Sequence, residues 1–417
     1  MIAGLLGCES KPQSAPAAAG QPSAEPGRAA GSAAAAPPPA PAKKAKADRT
    51  HRASRCGECH EKMHQEWRAS PHARTSDGAL YAALRGTGAT APCDRCHEPL
   101  RELGASAEFA RNEGVSCETC HRISGVTLHA TFAEAPLEPA HGTKYGPRCD
   151  PRRPYFHRAE CRPVFAKSEL CAACHLLSVP ALDGSTLPVH SEYADWASGP
   201  YAARGKTCQS CHMRPGIRAE LASGEPERDG VPDHGFWGLE QRLRGSALKA
   251  HAQASLRGDV LVVKVQIANT GAGHAIPAGG PGRELVLRVT ARDAAGAELA
   301  REERSYQRRL VDANGAPASF VTATRVDRDT RIAALETRRE RFTFDVRGAS
   351  VVEVALLRRS DPELSRALGV EPGPERPYAD VSLPLVSAPG SSTAATRRAA
   401  LAPRIDALEL KPLASAP

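Results

Sequence analysis

Five copies of Cys-x-x-Cys-His constrain this chain more than anything else in it. They are Cys56-Gly-Glu-Cys59-His60, Cys93-Asp-Arg-Cys96-His97, Cys117-Glu-Thr-Cys120-His121, Cys171-Ala-Ala-Cys174-His175 and Cys208-Gln-Ser-Cys211-His212. In this pattern two thiols can add across the vinyl groups of a haem as thioethers, and the adjacent histidine is held beneath the iron as its proximal ligand. Paired cysteines also build zinc ribbons, thioredoxin-like redox sites and disulfide frameworks. None of those needs a histidine directly after the second cysteine five times over. The motifs therefore predict five covalently attached haem c groups, with iron bound by His60, His97, His121, His175 and His212.

Aromatic residues are only 4% of the 417, thin for a conventional core in a chain with room for two or three domains. Porphyrin faces would make good that shortage, so the motif-bearing segment is expected to need its cofactors to fold. The formal net charge of +8 suits acidic partners or an anionic surface, less so once haem propionates offset it. Nothing in it points to nucleic acid.

Composition divides the chain. Residues 1–8 read as a truncated signal ending in a lipobox, Leu5-Leu6-Gly7-Cys8, with Cys8 the candidate lipidation site and possible membrane attachment through that lipid. Residues 9–50 are rich in Ala and Pro and read as a disordered tether. All five motifs fall in 51–242, expected to be a loop-rich, mainly α multihaem domain with short helices such as 61–69 and 76–84. From 243 to 388 the texture changes to β-branched alternation. The runs 259–268, 283–291, 340–346 and 351–358 predict strands of an antiparallel β-sandwich. Residues 389–417 read as a weakly ordered tail. The expected fold class is thus mixed, and attachment of c-type haem outside the cytoplasm implies export. The protein is expected to be periplasmic, or a lipoprotein of the outer membrane or cell surface.

Six-coordinate haems need a second axial ligand each. Ten histidines lie outside the motifs and internal methionine is limited to Met63 and Met213, so bis-histidine ligation is the default. The run Cys56…His60…Trp67-Arg-Ala-Ser-Pro-His72-Ala resembles the multihaem cytochrome superfamily. That group includes the tetrahaem carriers of ammonia oxidation and the multihaem hydroxylamine-oxidising and nitrite-reducing enzymes. Gly114-Val-Ser-Cys117 with His129 downstream, Tyr145-Gly-Pro…His157, and Tyr193-Ala-Asp-Trp196…His234-Gly-Phe236 are similar to the same group, over about residues 51–240. The resemblance implies that His72, His129, His157 and His234 are distal ligands, each serving a haem attached elsewhere in the chain.

Two features depart from it. Tyr201 stands where the Trp196 segment would have a histidine, and no motif carries lysine in place of histidine, as ammonia-forming nitrite reductases usually do. The fifth distal ligand is open between His274, in Asn269-Thr-Gly-Ala-Gly-His274-Ala-Ile-Pro277, and His141; if neither ligates, one haem is five-coordinate. Cys149 and Cys161 flank His157, and a disulfide between them would stabilise that loop by about 3 kcal/mol. The residues favour an exported electron carrier with redox partner proteins and no catalytic residues of its own. The alternative is an oxidoreductase acting on a small nitrogen or sulfur oxyanion at one open haem, with Arg95, Arg122 or Lys144 as cationic groups beside it.

Overall fold

The computed structural model describes residues 48–87, 91–138, 142–150, 156–181, 183–236, 247–385, 395–400 and 402–403. Cys8, the proposed tether up to residue 47, His141 and the 242/243 boundary lie outside them. The described residues up to 236 form short helices and two-stranded sheets joined by loops; the remainder is strand-rich.

Each motif lies on or beside a short helix: Ala53–Gly57, Ala91–His97, Cys117–Cys120, Glu169–His175 and Cys208–His212. Residues three apart share a helix face, so a helical turn aims both cysteines of a motif the same way. The expected helix at 61–69 is Glu61–Ala69. The one expected at 76–84 instead runs Ala79–Gly86, because the Ser76-Asp77-Gly78 segment, a run of turn formers, ends with Gly78 extended as the N-cap. Side-chain clusters here are small: Leu100, Ala105, Phe109 and Ala110 form one, and Ala133, Ala172 and Leu176 another. Among the described residues the motif-bearing segment has no side-chain core to match its length.

The strand-rich part does have one. Four strands are ordered Thr337–Asp345, Val260–Asn269, Leu248–Arg257, Ala395–Ala400, and five are ordered Glu298–Tyr306, Glu284–Arg292, Val351–Arg359, Arg376–Pro384, Ala402–Pro403. Every pairing in both sheets is antiparallel. Alternation in Val260–Asn269 sends Leu261, Val263, Val265 and Ile267 inward, where they meet Leu285, Leu287, Val352, Val354 and Leu356 of the other sheet in a single cluster. Each such side chain contributes about 1.5–3 kcal/mol by leaving water. Residues 395–400, expected to belong to a weakly ordered tail, pair along Leu248–Arg257. A sheet edge offers backbone donors and acceptors whatever the incoming side chains are, which a reading of side-chain pattern does not register.

A second hairpin, Arg308–Val311 with Arg325–Asp329, joins the two parts. Leu310 and Ala323 pack on Ala181 and Leu187 of the motif-bearing segment. Arg308 donates to the Pro188 carbonyl at 3.3 Å and to Ser191 Oγ at 3.0 Å; Arg331 donates to Asp195 at 3.0 Å and to Asp329 at 2.7 Å. Burial opposes the charge on Asp329, but donation from Arg331 and the positive charges of Arg331 and Arg308 outweigh it and hold the carboxyl below its ordinary range. A carboxylate depressed on folding contributes stability that is present above its unfolded pKa and is lost as the pH falls through the folded value. Asp329→Asn should therefore lower Tm at pH 7 and flatten the fall of Tm below about pH 4. A variant whose Tm tracks the wild type across that range would contradict this.

Candidate haem sites

Ligation through Nε2 requires that atom to keep its lone pair, so the ring proton must sit on Nδ1. Backbone carbonyls can only accept, and they impose that tautomer at most of these rings. The Nδ1 of His97 faces the Thr75 carbonyl at 2.7 Å, that of His121 faces Tyr145 at 2.6 Å, and that of His60 faces Leu221. The same holds for histidines outside the motifs: His157 faces the carbonyl of Arg158 at 3.1 Å, His234 that of Pro232 at 3.0 Å, and His274 that of Ala275 at 3.0 Å.

The rings then meet in pairs. His60 and His157 have centroids 6.2 Å apart, His121 and His234 6.4 Å, His212 and His274 6.3 Å, and His175 and His72 6.4 Å. Two metal–nitrogen bonds of about 2 Å each, plus ~1 Å from each nitrogen to its ring centre, span about 6 Å. Direct stacking would bring rings closer than this, as Tyr81 shows on the face of His97 at 4.1 Å. The spacing fits an iron between each pair, with the partner ring supplied by a distant part of the chain. Burial favours the neutral, ligating form. It depresses His72 to about 3 and His121 to about 4, and lowers His97, His157, His175 and His234 as well.

Local structure holds each partner in place. His72 lies in the 3-10 turn Pro71–Arg74. Its carbonyl accepts the Val115 N–H at 2.9 Å, and the Trp67 indole donates to the Val115 carbonyl at 2.8 Å. Phe236 abuts its ring edge-on at 4.3 Å. His157 lies within the loop closed by the Cys149–Cys161 disulfide, whose Cα atoms are 4.7 Å apart. The His234 N–H donates to Glu66 at 2.9 Å. His274 sits in a loop stapled by the buried Asn269, whose amide donates to the His274 and Ile332 carbonyls and accepts the Ala272 N–H. Tyr201, in the position where a histidine is expected by resemblance, donates to the Thr270 carbonyl at 2.6 Å and packs on Gly273, so its part is to seat this loop.

Other candidates are placed differently. His129 stacks on Phe132 at 4.3 Å and lies 3.5 Å from Glu134, facing no motif histidine. Arg122 and Lys144 both converge on the buried Glu118, Arg122 at 2.6 Å. Burial would raise Glu118, but His51, Lys144 and Arg122 outweigh it and hold the carboxyl far below its ordinary range. Arg95 lies 3.9 Å from Glu102. The described residues place no histidine ring at ligand spacing from His97. His190 was not singled out by sequence, yet its ring lies 6.2 Å from that of His175, close to the 6.4 Å spacing of His72.

The cysteines give the motifs a spatial order. Cys117 lowers the thiol of Cys56, Cys174 that of Cys96 and Cys171 that of Cys208, which puts the two members of each pair near one another. Cys174 is raised chiefly by Cys96 and burial, with Cys120 adding to it. The first motif thus adjoins the third, the third adjoins the fourth, and the fourth meets the second and fifth. Among the described residues no group of three or more His, Cys, Asp or Glu is arranged to hold a separate metal ion.

A similar fold is known from the crystal structure of a penta-heme cytochrome c552 from Thermochromatium tepidum. It superposes with a TM-score of 0.63 at 21% identity, over 80% of this chain and 99% of that one. No family model matches the chain, and neither does any curated protein.

Gly114 connects backbone to site. Its φ is +56°, and a Cβ there would stand 2.5 Å from the His72 carbonyl oxygen. Gly114→Ala should cost about 1–3 kcal/mol in chemical denaturation. Unchanged stability would show that the turn under His72 tolerates a side chain.

Proposed function

We propose that this chain is an exported pentahaem c-type cytochrome that passes single electrons along a chain of mostly bis-histidine haems. One observation carries the reading: four motif histidines each face a histidine from elsewhere in the chain at 6.2–6.4 Å. The five motifs and the likeness to a penta-heme cytochrome c552 support it. Bound haem supplies the one-electron Fe(III)/Fe(II) couple. The protein's part is to fix both axial imidazoles in the neutral tautomer, to keep water from their surroundings, and to bring neighbouring attachment motifs into contact.

The motif order implies a line from the first motif through the third to the fourth, where it branches to the second and fifth. Redox proteins are the implied partners. Export follows from where thioethers to haem are made, and a lipid on Cys8 would tether the chain to a membrane; no described helix is long and apolar enough to cross one. The strand-rich part contributes His274 and so completes the site at the fifth motif. His129, a distal ligand by family resemblance, stands outside the four pairs proposed here, against Phe132 and Glu134.

A second reading rests on the second motif. His97 lacks a described histidine at ligand spacing, so an open iron there would allow a small nitrogen or sulfur oxyanion to bind. Low-temperature EPR of the oxidised protein, with carbon monoxide added to the reduced form, separates the two readings. Five low-spin haems that ignore carbon monoxide support the carrier; one high-spin haem that binds it supports the oxidoreductase.

Replacing His72, His157, His234 or His274 by alanine should each turn one low-spin haem high-spin, whereas His129→Ala should leave the EPR spectrum unchanged. A high-spin signal from His129→Ala, or none from the other four, would contradict the pairing.

A further inference from the structure

The partner behind His175 is unlike those behind the other motif histidines described above. His60, His97 and His121 each turn Nδ1 to a neutral backbone carbonyl. The Nδ1 of His175 instead lies 4.0 Å from Oε2 of Glu192, and the same oxygen is 3.7 Å from Nδ1 of His190. The other carboxylate oxygen accepts the Gly279 N–H at 2.5 Å, which anchors the side chain from the loop that carries His274. Oε2 is buried without a hydrogen-bond partner, as is Nδ1 of His190. An orphaned carboxylate oxygen in that setting is costly, and a movement of about 1 Å would bring an imidazole N–H into bonding range.

We propose that Glu192 is a positioning residue for the haem at Cys171 and Cys174: it takes the Nδ1–H of His175 and thereby lowers that haem's reduction potential. The inference rests on the pentahaem reading. A charge-assisted bond is roughly twice as strong as one to a neutral carbonyl. Full negative charge behind a ligating imidazole raises its basicity, which stabilises Fe(III) over Fe(II). The fourth motif is the one that adjoins the third, second and fifth. Glu192 therefore places a low-potential centre at the junction, through which electrons pass without resting.

The test is a spectroelectrochemical titration of the full haem-loaded chain, the electrode supplying one electron per iron, after a haem count by mass. Glu192→Gln should raise one of the five transitions by about tenfold in its reduction equilibrium constant, about 59 mV for one electron. It should also alter one low-spin EPR signal, and Glu192→Asp should give a smaller shift of the same sign. Combining Glu192→Gln with His72→Ala, whose high-spin signal marks the fourth-motif haem, should place the shift there. Five unchanged transitions, a uniform shift of all five, or a shift on another haem overturns the proposal. Should Glu192→Gln fail to assemble, Glu192→Asp decides: an unshifted titration overturns it and a rise in one transition supports it. A wild type lacking five haems sinks the electron-carrier reading instead, so the two failures are distinct.

Discussion

Facing imidazoles hold the motif-bearing segment in register. Its side chains form only small clusters, such as that around Leu100 and Phe109, too few to organise it. What the segment has instead is a set of partly buried histidine rings, most with Nδ1 set against a backbone carbonyl and paired across 6.2–6.4 Å with a ring from another stretch of chain. A metal bond through such a pair would cross-link the chain as a disulfide does. Loop, turn and glycine placement in the segment follow from that requirement. Gly114 lies against the His72 carbonyl for this reason, and Asn269 staples the His274 loop.

The strand-rich part solves a different problem. It buries its own apolar residues between two antiparallel sheets and can hold its shape by ordinary packing. That rigidity is used at the junction, where Arg308 and Arg331 grip the Pro188–Asp195 stretch and the loop after Val260–Asn269 presents His274 and Gly279. A self-sufficient core thus presents one histidine and one anchoring N–H to a neighbour with only small side-chain clusters among the described residues.

Much of this was legible in the residues. The motifs announce themselves because thioether attachment and proximal ligation fix a local spacing, and alternation marks strands such as Val260–Asn269 because one face is buried. Distal ligation leaves no local spacing: His72 faces His175 and His274 faces His212 across long separations. Only the tertiary arrangement pairs them, and family resemblance named His129 alongside His72, His157 and His234 although it stacks on Phe132. Ligand demand alone leaves His274 and His141 level; Asn269 and Tyr201 seat the loop of His274, and His141 lies outside the described residues. Glu192 and His190 carried no signal, since a carboxylate two residues from a histidine is commonplace until both are buried beside a motif.

The central claim is that motif and non-motif histidines share irons. Near-infrared magnetic circular dichroism of the oxidised wild-type protein tests it most directly, because the charge-transfer band of each low-spin haem reports its axial pair. At least four of the five haems should show bis-histidine ligation. Fewer than four, or bands from histidine–methionine ligation at any of the four paired sites, would contradict the account.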